Sequence, residues 1–230
     1  MVASVIALSG LLAAGQAIKE GLKDPPPPEK PFDRSTIRCV DSYEPTVSGH
    51  RAVRVAVLGD AVTAWRPPDH PATSWVTYAR GNGVRVAQDW VDPDATVQKL
   101  STRVTATRAD VLVVLAGTND LRADTANDQV ELGLQRAVER AGVDKVLISS
   151  IPPVPYLTQE TADFNELLAR IAYRHDWSFV DAGTTVVDDN CSFSSGMRGP
   201  GARPSAEGAR RIGSAVQGAL TTRTDLAPAD

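Results

Sequence analysis

Val111-Leu112-Val113-Val114-Leu115-Ala116-Gly117-Thr118-Asn119-Asp120 is the stretch on which the reading of the fold turns. An unbroken run of small or branched apolar residues, without polar alternation, predicts a strand buried on both faces of a parallel sheet. The run stops at Gly-Thr-Asn-Asp, which puts polar side chains at the strand's carboxyl end. Open α/β sheets bind ligands at that edge. Val53-Arg54-Val55-Ala56-Val57-Leu58, followed by Gly59-Asp60-Ala61, repeats the same grammar earlier in the chain.

Outward from these two strands, helical and extended patterns alternate. Thr73 or Ser74 is placed to cap a short helix carrying Trp75, Val76 and Ala79. Gly81-Asn82-Gly83 turns into a strand over 84–87, and 92–96 precedes a helix with Val97, Leu100 and Val104 facing inward. Over 125–141 the residues Val130, Leu134, Ala137, Val138 and Ala141 keep to one helical face, and Gly142 closes the helix. A strand over 145–149 ends before Pro152-Pro153, and Phe164, Leu167, Leu168, Ile171 and Ala172 form the next helical stripe. A short strand over 178–180 leads to Asp181. The last helix starts after Pro204 with Ser205 as N-cap and Glu207 in its first turn, burying Ala209, Ile212 and Val216. This alternation predicts an α/β fold, three layers α/β/α around a parallel five-stranded sheet.

The chain has 230 residues, 42% of them hydrophobic and 23% charged, and a formal net charge of -4, which suits one globular domain with short extensions. No basic stripe stands out, which argues against a nucleic-acid partner. Residues 2–18 are uncharged and rich in Ala, Leu, Val and Ile, about the length of a signal-peptide core, with Gly15-Gln16-Ala17 as a possible cleavage site. A basic segment ahead of them is missing. We read 1–18 as a signal peptide or N-terminal membrane anchor, and 19–38, with Pro25-Pro26-Pro27-Pro28, as a stiff linker. Residues 39–222 form the domain and 223–230 a tail. Cys39 and Cys191 read either as two unrelated free thiols or as one disulfide, and the compartment decides between them: in an exported protein they would pair, and a bridge closing so long a loop contributes on the order of 4 kcal/mol in the chain-entropy treatment.

Four blocks, in order, resemble those of the SGNH/GDSL hydrolases, and together they span 53–216. Val57-Leu58-Gly59-Asp60-Ala61-Val62-Thr63-Ala64 looks like the nucleophile block. Trp90-Val91-Asp92-Pro93-Asp94-Ala95-Thr96 looks like the block that in similar sequences reads Pro-Gly-Ala-Thr. Ala116-Gly117-Thr118-Asn119-Asp120 matches the asparagine block outright. Gly201-Ala202-Arg203-Pro204-Ser205-Ala206-Glu207-Gly208 looks like the final block, usually Asp-x-x-His-Pro-Ser-x-x-Gly. The resemblance implies a flavodoxin-like SGNH-hydrolase fold.

In working members of that family a serine attacks a carbonyl, a histidine takes its proton and an aspartate orients the histidine. The oxyanion is held by backbone N–H groups and the asparagine side chain. Carried over position by position, the nucleophile is Ala61, the oxyanion glycine is Asp94, the histidine is Arg203 and the aspartate is Pro200. Asn119 alone is retained. One such change would read as an engineered knockout; four together do not. An arginine is always protonated and is no general base.

Other residues offer little to refill the roles. His70 follows the nucleophile turn, and His175 reads as an exposed helix end. Thr63 reads as a packing or capping residue, and Asp188-Asp189 as a loop turn rather than a metal site. Asp60, Ala61, Asp94, Gly117, Asn119, His70 and Arg203 are the candidates for lining the cleft, with Asp94 and Arg203 expected to pair across it; the alternative is an anion pocket built on Arg203. No metal or cofactor is expected. The reading that results is an exported, non-catalytic homologue that binds an acyl, glycan or lipid ligand of the envelope, or a partner protein. Its competitors are an active acyl esterase or acyltransferase using non-standard residues, and a structural subunit of a membrane complex docked through its N-terminus.

Overall fold

The computed structural model describes residues 52–64 and 74–228. The expected leader, the proline-rich linker, Cys39, His50 and His70 lie outside the described residues. Strands β1 (Val53–Gly59), β2 (Val84–Val91), β3 (Val111–Leu115), β4 (Val146–Ser149) and β5 (Ser178–Val180) form one sheet in the order β2-β1-β3-β4-β5. Every pairing in it is parallel. The helices are α1 (Ala61–Ala64), α2 (Trp75–Ala79), α3 (Val97–Ser101), α4 (Thr118–Arg122), α5 (Asn127–Ala141), α6 (Thr158–Arg174) and α7 (Ala206–Thr222).

Strand β3 is apolar throughout, and β1 is apolar apart from Arg54 and its closing Gly59, because each face meets a helix layer. Ala56, Leu58, Leu112 and Val114 pack with residues of α3, α5 and α6. Val55, Val57, Val111, Val113 and Leu115 pack on the opposite face with residues of α2 and α7. Every residue of β3 is buried, and burying a Val or Leu side chain stabilises by roughly 1.5–3 kcal/mol. The strand order reverses between β1 and β3, so their carboxyl ends diverge around a crevice. That reversal positions the site.

Boundaries differ from expectation where tertiary contacts override local pattern. Strand β2 runs on to Val91, because its far half continues to pair with β1 as far as Gly59; the exposed Gln88 and Asp89 of this edge strand break the apolar signature. Helix α3 ends at Ser101, and Val104 is buried beyond it. Ser74 stands at the N-cap position of α2 without a side-chain capping bond, whereas the Ser205 hydroxyl does accept from the Gly208 N–H at 3.1 Å. Gly142 closes α5 in the left-handed conformation, as expected of a glycine there. After α7 the chain does not trail away: Leu226 is buried, the Asp225 carboxylate accepts from Ser178, and the Ala227 carbonyl accepts from Lys145.

Candidate functional site

At the end of β1 the chain turns through Asp60 into α1, and Asp60 is fully buried. One of its carboxylate oxygens accepts the Val62 N–H at 3.1 Å; the other accepts Gly117 N–H at 3.0 Å and Thr118 N–H at 2.8 Å. The carboxylate thus joins the ends of β1 and β3. Burial pushes its pKa up, and the bonds from Val62, Gly117 and Thr118 act against that shift. Thr63 ties the same two strands: its hydroxyl donates to the Leu115 carbonyl at 3.0 Å and accepts from the Trp75 indole at 3.1 Å. This approach is close enough that a Cβ on Gly59 would stand 2.1 Å from the Thr63 hydroxyl.

The Gly-Thr-Asn-Asp segment turns sharply out of β3. Gly117 has φ +130°, and a Cβ there would lie 2.4 Å from the Phe164 ring, so the position admits only glycine without rearrangement. The Asn119 amide donates to the Pro93 carbonyl at 2.9 Å and to the Ala95 carbonyl at 3.0 Å. Asp120 is buried and accepts the Val97 N–H at 2.8 Å, while its second oxygen has no partner. Burial, with the nearby Asp60 charge adding to it, pushes the Asp120 pKa up to about 6 against the Val97 N–H.

Asp94 sits on the turn that Asn119 holds, with its own side chain exposed. Its N–H donates to the Asp92 carboxylate at 3.1 Å, and Asp92 pairs with Arg103 at 2.5 Å. The expected Asp94–Arg203 pair is not formed: among the described residues no ion pair joins them. Asp94 is held out toward solvent by its turn, and Arg203 engages a partner of its own. Arg203 belongs to a tight loop in which Gly199 N–H donates to the Arg203 carbonyl at 2.8 Å and Arg203 N–H to the Pro200 carbonyl at 3.3 Å.

Over the end of β1 this loop and α4 enclose a pocket of about 80 Å³. Ala61, Val62, Thr118, Arg122, Gly201, Ala202 and Arg203 line it. Of the cleft candidates Ala61 and Arg203 therefore meet, Asp60 and Gly117 lie buried, Asn119 is turned to the 93–95 carbonyls, and Asp94 does not line the pocket. Arg122 escaped the sequence reading. Its signal was its place four residues after Thr118 on the helix that leaves β3, which puts the two on one helical face. A wider groove of about 270 Å³ lies nearby in the fold, between the loop after β4 and the 192–198 segment, with Pro153, Pro155, Tyr156, Phe193 and Arg198 on its walls. Tyr156 is 98% exposed at φ +68°.

The remaining candidates are structural. His175 is half-buried rather than exposed: its Nε2 lies 2.8 Å from Glu131, its ring stacks on Trp177, and Arg174 pairs with the same glutamate at 2.5 Å. Asp188 accepts N–H groups from Asn190 and Ser192 within its own turn. Cys191 is exposed with a free thiol. Among the described residues no group of three or more His, Cys, Asp or Glu could hold a metal ion, and no helix is long and apolar enough to cross a membrane.

Two strand ends stapled by a buried aspartate, with Gly-Thr-Asn-Asp at the second, are matched across residues 57–211 by the GDSL-like lipase/acylhydrolase family. The chain belongs to that family. Solved structures agree on the fold. A member of the lipolytic G-D-S-L family from Veillonella parvula superposes with a TM-score of 0.59 at 20% identity, covering 75% of this chain and 99% of its own. A GDSL-like lipase from Bacteroides thetaiotaomicron gives 0.55 at 21% identity, over 73% and 87%. The acetylxylan esterase Axe2 from Geobacillus stearothermophilus gives 0.56 at 16%, over 76% and 98%. No curated protein matches the sequence. In this member of the GDSL-like family Asp60, Gly117, Asn119 and Asp120 stand at the ends of β1 and β3, close in the chain to Ala61 and Thr118 of the pocket lining.

Proposed function

We propose that this GDSL-like protein binds at the cleft of its fold without hydrolysing what it binds. The observation that carries the reading is Ala61: the residue at the turn out of β1, on the pocket floor, has no hydroxyl with which to attack. Three further features support it. Both Asn119 amide hydrogens are directed at carbonyls of the 93–95 turn, so neither is left for an oxyanion. Arg203 stands where a general base would be needed. Pro200 offers no side-chain acceptor to orient one. Removing a single triad member typically leaves only ~10³–10⁴-fold catalysis over water, and here base and nucleophile positions are both changed.

The test is hydrolysis of short-chain acyl esters together with labelling by a fluorophosphonate probe. Neither should rise above background in the purified full chain, and Ala61→Ser alone should not restore turnover, because no base accompanies it. Stoichiometric labelling of a serine, or turnover that disappears in His70→Ala, would replace this reading with that of an esterase using non-standard residues.

We further propose that the protein is exported and works at the cell envelope, on a ligand or partner there. The uncharged segment 2–18, the proline run at 25–28 and the distant pair Cys39 and Cys191 support that compartment. Fractionation of the native host should recover the chain outside the cytoplasm; a cytoplasmic pool alone would refute the placement.

A further inference from the structure

We propose that His175 is a proton-operated clasp between α6 and α5: charged, it donates to Glu131; neutral, it accepts from Gln135. Both partners reach the same ring atom. The His175 Nε2 lies 2.8 Å from Glu131 Oε1 and 3.2 Å from Gln135 Nε2. A ring nitrogen carries either a proton or a lone pair, a carboxylate only accepts, and an amide nitrogen only donates. Nε2 therefore bonds one of the two and not both. Gain or loss of a single proton exchanges the partner. Glu131 and Gln135 stand four residues apart on α5, so one face of that helix presents the pair.

The groups around the ring pull in opposite directions. Glu131 favours the charged form, as does the indole of Trp177, stacked with its centroid 4.6 Å from that of the imidazole. Against the charge stand the Gln135 amide and Arg174, whose guanidinium holds Glu131 Oε2 at 2.5 Å. Asp176, next in the chain, is exposed. Burial opposes the Glu131 charge, yet the bonds from Arg174 and His175 hold its pKa below the ordinary carboxylate range, so it stays ionised while an imidazole titrates. When the ring is neutral Glu131 keeps Arg174, whose Nε also donates to it at 3.3 Å. Release by His175 thus leaves no orphaned carboxylate, and Gln135 takes up the bare nitrogen. The helix held in this way also braces the site: Phe164 closes on Gly117, and the Asn165 side chain binds the Ile151 N–H and carbonyl at 2.8 and 3.0 Å.

Long-range ¹H–¹⁵N spectra of the His175 ring in the full chain, recorded from about pH 4 to 9, test the exchange. Above the transition Nε2 should be bare with the proton on Nδ1, and the Gln135 side-chain amide should shift with the same midpoint as the ring. Glu131→Gln removes the acceptor of the charged form and should lower that midpoint by about 0.5–1 pH unit, whereas Gln135→Ala removes the donor to the neutral form and should raise it by about 0.3 pH unit. A stack that serves packing alone gives no such opposition. An Nε2–H tautomer above the transition, a Gln135 amide blind to it, or a midpoint that stays put or moves the other way in either variant would overturn the proposal. The tautomer is read on the unaltered chain, so a variant that fails to fold does not shelter the clasp.

Discussion

Asn119 and Asp94 are related by bracketing rather than by contact: the Asn119 amide donates to the carbonyls on either side of Asp94, Pro93 at 2.9 Å and Ala95 at 3.0 Å. The side chain that would be catalytic in a working relative here fixes the loop between β2 and α3. Asn119→Ala should therefore destabilise by about 1–3 kcal/mol, since two carbonyls lose their donors together. Asn119→Asp should cost at least as much, because it turns an acceptor on acceptors. Urea unfolding of the two variants checks this; wild-type midpoints would mean that Asn119 has no structural role.

Arg203 and Asp94 lie at positions that face each other in the family's usual arrangement, yet no ion pair joins them among the described residues. Their single alanine variants should accordingly be additive, with a coupling below ~0.5 kcal/mol in a double-mutant cycle. Asp94→Ala, at an exposed side chain, should alone change stability by less than about 0.5 kcal/mol. A coupling above 1 kcal/mol would show a pair in solution after all.

The fold was legible because β3 is buried on both faces and its neighbours alternate with amphipathic helices, a pattern that only layered packing explains. The ends of β1 and β3 were legible as site elements because each apolar run stops at a glycine followed by polar residues, Asp60 in one and Thr118-Asn119-Asp120 in the other; the structure adds that Gly59 and Gly117 each meet a neighbour too closely for a side chain. What escaped depends on direction rather than residue type. Nothing in Pro93-Asp94-Ala95 says that the Asp94 side chain faces solvent while its flanking carbonyls face Asn119. Arg122 was silent because an arginine on a short helix has no pattern of its own until a pocket wall is placed beside it. His175 was read as an exposed helix end because Glu131, 44 positions away, is brought to it only by the packing of α5 on α6.

Cys191 is exposed in the loop before α7, and in an exported protein it should not persist as a thiol. Intact mass of protein taken from its native compartment, under non-reducing conditions, should fall two protons below the reduced value, with Cys39 and Cys191 joined in one peptide pair. Reduction should then lower the unfolding midpoint, in line with a long-loop bridge worth on the order of 4 kcal/mol less strain. Two alkylatable thiols in the native material would count against both the bridge and the export that motivates it.

Asp120 makes stability depend on pH in a direction opposite to that of a paired carboxylate. Burial, the largest cause, and the Asp60 charge push its pKa up to about 6 against an ordinary 3.8, although the Val97 N–H favours the ionised form. Between these values the native state binds a proton that the unfolded chain has released. Stability therefore falls as pH rises from about 4 to 6, and the loss is complete above that window. At 1.36 kcal/mol per pKa unit the cost at neutral pH is on the order of 2–3 kcal/mol. Asp60, whose pKa burial also raises, adds a loss of the same sign. Asp120→Asn keeps an oxygen to accept the Val97 N–H at its 2.8 Å site and places a neutral amide where the unpartnered oxygen stood. The variant should lose much of the slope between pH 4 and 6 and gain roughly 1–2 kcal/mol at pH 8, after the cost of an amide without an acceptor. Urea unfolding of both proteins from pH 4 to 8 reads this directly. Parallel curves for wild type and Asp120→Asn would show that Asp120 is not the group that titrates.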